Sequence, residues 1–104
     1  MKYIFKLYVF NETANSVRAI KNLKKITKKF LKEQYTIDII DIIETPKLAI
    51  DGSIVAVPTL IKSFPPPYRK VIGDLSDTEN VVVSLGLKSL IKDETSNRME
   101  VNNE

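Results

Sequence analysis

The chain has 104 residues, of which 43% are hydrophobic, enough for one small core and too few for two domains. Its 16 basic and 13 acidic side chains leave a formal charge of +3, so neither sign dominates the surface. With no cysteine and no histidine, disulfides, thiol redox chemistry, thiolate or imidazole zinc sites and a histidine base are all excluded.

The first segment, "KYIFKLYVF", is rich in β-branched and aromatic residues and predicts a strand. Lys6 interrupts it and no small-residue cleavage site follows, so it does not have the pattern of a signal peptide. No apolar run reaches the roughly 18 to 20 residues a membrane helix needs. A cytoplasmic protein without a membrane association is therefore expected. A polar loop, "NETANS", then leads into a helix that Asn15 or Ser16 would cap. Val17, Ile20, Leu23, Ile26 or Thr27, Phe30 and Leu31 recur at helical spacing. Lys21, Lys24, Lys25, Lys28, Lys29 and Lys32 occupy the other face, a basic ridge that is either a solvated surface or a site for an anionic partner.

"YTIDIIDII" predicts a second strand, and its nearly continuous apolar run suggests cover on both faces. Strand, helix and strand within about forty residues form a βαβ unit with parallel strands. In "ETPKLAIDGS", Thr45 can cap and Pro46 can open a short helix ending near Asp51-Gly52. "VPTLIKS" and "YRKVIG" predict a third and a fourth strand, joined by the stiff Pro65, Pro66 and Pro67. "SDTE" at Ser76 to Glu79 matches a capping box and starts a last helix. The body of that segment, "NVVVSLGLKSL", is β-branched and contains Gly86, so its propensity favours a strand. Residues 1–92 are expected to form one domain and the polar residues 93–104 a flexible tail.

The order β-α-β-α-β-β-α around a four-stranded mixed sheet, with a proline just before the third strand, is the thioredoxin plan. In that plan the catalytic cysteines sit where the first strand meets the first helix. Here that place is Phe10 to Ser16 and holds none. Pro58 stands at the position of the plan's cis-proline; a trans proline opening a strand is the other reading. Asp38 and Asp41 are three apart on a strand and point to opposite faces, which rules out a carboxylate pair. Gly52, Gly73 and Gly86 are too scattered for a phosphate loop. No enzyme and no cofactor are expected, only a recognition surface on the fold.

"KLYV", "NSVRAIKNL", "IDI", "TPKLA", "VPTLIK" and above all "PPPYRKVIGDLSD" resemble the KaiB family, which includes the small protein of the cyanobacterial circadian clock and relatives in other bacteria. The resemblance runs from about Lys2 to Leu90 and implies a binding module without catalysis. Members bind KaiC, a hexameric RecA-like ATPase, and alter its phosphorylation cycle. In the clock branch they also capture KaiA and compete with a KaiB-like sensor-kinase domain. The family switches folds: a ground state, often a tetramer, rearranges the second half of the chain, and a thioredoxin-like monomer binds KaiC. A homo-oligomer, dimer or tetramer, and the ground-state fold are thus implied alternatives to the thioredoxin-like form expected here.

Carried over to this chain, the KaiC-facing region comprises Pro46, Lys47, Leu48, Ile50, Ser53, Ile54, Val57 and Pro58. Ser53 stands where clock members commonly have a lysine. Asp38 stands where they place a lysine used for KaiA, and the reversed charge disfavours that partner. Ser84, Gly86 and Ser89 replace their Gly, Asp and Tyr at positions that bear on the balance of folds. The setting implied is regulation of a KaiC-like ATPase in stress adaptation or a rhythm-related process, or stress signalling through another partner where KaiC binding has been lost. The rival reading, an acidic-surface or nucleic-acid binder through the lysine ridge, lacks interleaved aromatics and an arginine fork, so nucleic acid is disfavoured.

Overall fold

The computed structural model describes residues 2–32, 34–54 and 56–87. Seven elements follow one another: β1 (Tyr3–Val9), α1 (Ala14–Phe30), β2 (Tyr35–Asp41), α2 (Pro46–Asp51), β3 (Thr59–Phe64), β4 (Arg69–Ile72) and α3 (Thr78–Ser84). The sheet order is β2-β1-β3-β4. β1 runs parallel to β2, with Leu7 opposite Ile39, and antiparallel to β3, with Leu7 opposite Leu60. β4 closes the sheet antiparallel to β3. The mixed four-stranded sheet of the thioredoxin plan is thus present, with Thr78–Ser84 helical rather than extended.

Strand alternation separates two cores. Phe5, Leu7, Val9 and Leu60 face α1 and α3 and pack with Ala19, Leu23, Ile26, Val81, Val82 and Leu85. The intervening positions Tyr8, Ile40 and Ile61 form a smaller cluster on the opposite face, joined by Ile42, Ile54 and Val57. α1 buries Ser16, Ala19, Leu23, Ile26 and Thr27, the stripe expected of an amphipathic helix. Val17, predicted as part of that stripe, is 49% exposed, because the stripe begins at Ser16.

Three local expectations change. The cap of α1 is Thr13, whose hydroxyl accepts from Ser16 N–H, so the helix starts before Asn15. Every residue from Asn11 to Ser16 except Ala14 is polar, and composition does not say which one turns the chain. The cap of α3 is Asp77, accepting from Asn80 N–H at 3.2 Å, which moves Glu79 from the far corner of a box into the first turn. β2 is an edge strand: Thr36, Asp38 and Ile39 are exposed, and its apolar run is not covered on both faces.

Gly86 does not weaken a helix interior. It lies just past the end of α3 with φ +79°, its N–H donates to Val83 C=O, and Leu87 N–H donates to Val82 C=O. This is a Schellman termination, which favours glycine because a left-handed residue with a Cβ is strained. Arg18 on α1 binds Asp74 beyond β4 at 3.2 Å, and Asn22 donates to Asp74 C=O at 2.8 Å, tying the two halves of the chain. Hydrogen bonds from Ser76, with help from Arg18, hold the Asp74 carboxyl below its ordinary range. A depressed carboxylate contributes stability above its unfolded value near 4 and loses it as pH falls through the folded value. Asp74→Asn is therefore expected to flatten the fall of stability as pH drops below about 4, measured by urea unfolding at each pH.

Candidate functional site

The loop between β1 and α1 is closed by hydroxyls and a carboxylate. Phe10 N–H donates to Ser16 Oγ at 3.1 Å, and Ser16 is fully buried. Asp41, at the end of β2, accepts from Asn11 N–H at 3.2 Å and from Ile43 N–H at 2.9 Å through the same oxygen. Asn11 takes a left-handed φ of 52°, a conformation Asn tolerates better than most residues. Asp41 thereby links the loop to the segment that enters α2. Asp41→Ala is expected to cost about 1 to 2 kcal/mol, read as a fall of roughly 5 to 10 °C in the melting midpoint.

α2 sits beyond this link. Thr45 occupies its cap, but the hydroxyl donates back to Asp41 C=O at 3.0 Å rather than capping the helix, and Pro46 fills the first turn, where no N–H partner is needed. The helix ends at Gly52. A Cβ there would lie 2.8 Å from Tyr8 Oη, so only glycine lets the helix end approach the second core so closely. Burial pushes the Tyr8 hydroxyl up, helped by Tyr68, Asp38 and Asp51.

No residue of α2 is buried. Leu48 is 44% and Ile50 is 75% exposed, and Ile39 and Ile43 nearby are 41% and 52% exposed. The folding of the chain covers these side chains only in part, Ile50 least of all. Beside them runs a depression of about 300 Å³ along the β2 edge, lined by Asp38, Ile39, Asp41, Glu44, Thr45 and Leu48. The patch is apolar with an acidic rim, an arrangement suited to burying aliphatic side chains of a partner.

The residues expected in this region divide into layers. Pro46, Lys47, Leu48, Ile50 and Ser53 are exposed. Ile54 and Val57 are half-buried and anchor the segment on Tyr8, Ile40 and Ile61. Pro58 is buried, the Val57–Pro58 bond is cis, and the Pro58 carbonyl accepts from Gly73 N–H at 2.9 Å. The triple-proline connection carries two further cis bonds, Phe64–Pro65 and Pro66–Pro67. Lys21, Lys24, Lys25, Lys28 and Lys29 line the exposed side of α1, Lys32 follows it, and Lys29 lies 5.2 Å above the Phe30 ring. Ser84 is the last residue of α3; Ser89 and the 93–104 segment lie outside the described residues. From the sequence Asp41 enters only as half of a carboxylate pair, and Lys62 is not singled out. An acidic residue ending a strand ahead of a helix cap is the signal that could have marked Asp41. Lys62 sits within an apolar strand, and its period-2 position could have marked it as inward-facing.

A thioredoxin-type sheet and helices, a first strand–helix junction without thiols, and an exposed apolar helix in front of the cis-proline define a thiol-free protein of thioredoxin architecture. Solved structures share that architecture. The N-terminal domain of Synechococcus elongatus SasA matches with a TM-score of 0.69 at 20% identity, over 85% of this chain and 86% of that one. Chloroplastic thioredoxin z matches with a TM-score of 0.67 at 13% identity, over 85% and 80%. The chain belongs to the KaiB family: the KaiB domain model matches residues 6–87. The circadian clock oscillator protein KaiB of Picosynechococcus is 51% identical over 82% of both chains, and that of Microcystis aeruginosa is 49% identical over the same shares. Among the described residues, no helix is long and apolar enough to cross a membrane.

Proposed function

We propose that this chain is a regulatory binding protein without catalysis, which docks on a KaiC-like hexameric ATPase through α2 and the segment leading into β3. The observation that carries the reading is that α2 buries nothing of its own yet presents Leu48 and Ile50 to solvent. A short helix of this kind gains further stability when a partner covers its apolar side chains. Lys47 and Ser53 supply the polar rim, and Ile54 and Val57 hold the segment to the sheet. The family relation supports the choice of partner, since the matched relatives are circadian clock oscillator proteins. The activity so regulated is placed in stress adaptation or a rhythm-related process.

Asp38 lies exposed on the β2 edge, opposite Lys6, which puts a negative charge on the strand edge and argues against a KaiA-type partner there. Sizing of mixtures with the KaiC-like ATPase of the same cell, in ATP and in ADP, tests the proposal. A complex in at least one nucleotide state is expected. Co-elution in neither state overturns it and leaves the variant in which the chain signals through another protein.

A further inference from the structure

A second group of residues lies on the sheet face opposite α2. Lys62 of β3 pairs in register with Phe5, so it points toward the helices, and it is only 2% exposed there. Arg69 is its register neighbour on β4 and shares that face. Both reach the end of α3. A Cβ built on Gly86 would have Lys62 Nζ and Arg69 Nε each at 3.5 Å and Arg69 Nη2 at 4.0 Å. Two cations therefore converge on the notch that a side chain at position 86 would have filled.

Nothing among the described residues neutralises them. Helix-terminal carbonyls are the obvious candidates, and Val81, Val82 and Val83 C=O each accept from Leu85, Leu87 and Gly86 N–H at 2.9, 2.9 and 3.0 Å, but among the described residues neither Lys62 nor Arg69 donates to one. The salt bridge among the described residues is Arg18–Asp74, made by other groups. Burial, and then the charge of Arg69, push the Lys62 ammonium below its ordinary range, with no acid acting in the other direction. An ammonium on a buried stem beside a guanidinium is an unfavourable pair until an anion joins it.

We propose that the notch formed by Lys62, Arg69 and Gly86 binds a phosphate group. Two positive charges match a phosphate monoester, which carries about −1.5 to −2 at neutral pH. The Nε–Nη2 edge of Arg69 can donate to two phosphate oxygens in parallel, and Lys62 supplies a point charge for a third. A carboxylate would satisfy the arginine edge but leave one positive charge over. Free phosphate and the phosphate of a nucleotide present the same chemistry. This site lies apart from the α2 surface, so it stands or falls independently of the proposed docking on an ATPase.

The test is an NMR titration of the full chain with sodium phosphate, with AMP and with sodium acetate, at ionic strength held constant by sodium chloride. Saturable shifts of the Gly86 amide and the Lys62 side-chain CH₂ next to nitrogen are expected with phosphate and AMP. Arg69→Gln, an exposed position, is expected to weaken both by at least about tenfold, since it removes one of two charge-assisted donors. Gly86→Asp places a carboxylate in the notch, in a residue type that accepts a left-handed φ, and is expected to abolish the shifts. Lys21→Gln on α1 is expected to leave them unchanged. Equal affinity for phosphate and AMP would show that the phosphate alone is read; tighter AMP would identify a nucleotide as the source. Shifts that acetate or chloride reproduces, or that survive unchanged in Arg69→Gln, would overturn the proposal.

Discussion

Leu48→Glu combined with Ile50→Glu is expected to weaken binding to a KaiC-like ATPase by about 10² to 10⁴-fold while shifting the melting midpoint by no more than a few degrees. The first part follows from burial. Fully covering a Leu or Ile side chain contributes about 1.5 to 3 kcal/mol, so covering what Leu48 (44% exposed) and Ile50 (75% exposed) still present reaches roughly 2 to 4 kcal/mol, with about 1.4 kcal/mol per tenfold. A glutamate at either position would also bring an unpaired charge into the interface, and at position 48 it would stand beside Asp38, Asp41 and Glu44. The second part follows from the isolated protein. No α2 residue is fully buried, and glutamate is a good helix former, so the folded state loses little packing. Isothermal titration against the ATPase and a thermal melt of the free protein measure the two effects separately. Undiminished affinity in a normally folded double variant would move the docking surface away from α2.

Much of the fold could be read from the sequence because local signals agreed with the final packing. The spacing of Leu23, Ile26, Thr27 and Leu31 in and just after α1 survives as buried positions. The run "TPKLAIDG" carries its own start and stop, and α2 spans Pro46–Asp51 between them. Two of the misreadings, the cover of β2 and the cap of α1, share one physical cause: the deciding information lay in another part of the chain. The position of β2 at the sheet edge is set by strand order, which the apolar run from Ile37 to Ile43 does not encode. The loop that leads to the cap of α1 is held by Asp41, 30 residues away from Asn11, a contact that local composition does not encode. The site shows the same division. Its exposed members belong to one contiguous stretch and were read together, helped by the family resemblance. Lys62, Arg69 and Gly86 come from three elements and meet only through the register of β3 with β4 and the end of α3.

Leu85→Ala is expected to cost about 2 to 5 kcal/mol, a large share of the roughly 5 to 15 kcal/mol that holds a domain of this size folded. Leu85 is fully buried in the main core, so truncation leaves a cavity against neighbours fixed by the sheet. The loss is also expected to be uneven. α3 packs against α1 and β4, at one side of the sheet, whereas β1 is paired on both sides by β2 and β3. Native-state hydrogen exchange should therefore show the amides of Val81 to Leu87 opening at a much lower free energy than those of Phe5 to Val9. The helix has little intrinsic strength to resist this. Val81, Val82 and Val83 are β-branched, and burial of Val81 and Val82 with Leu85 holds the segment helical against its propensity. Once the packing is weakened, the released segment favours the extended backbone of its own propensity, and it lies in the half of the chain that the family resemblance implies can rearrange. A second set of peaks with strand-like chemical shifts over Val81 to Leu87 is the expected signature in Leu85→Ala. Uniform loss of protection across β1 and α3 alike would show instead that the second half of the chain does not open apart from the first.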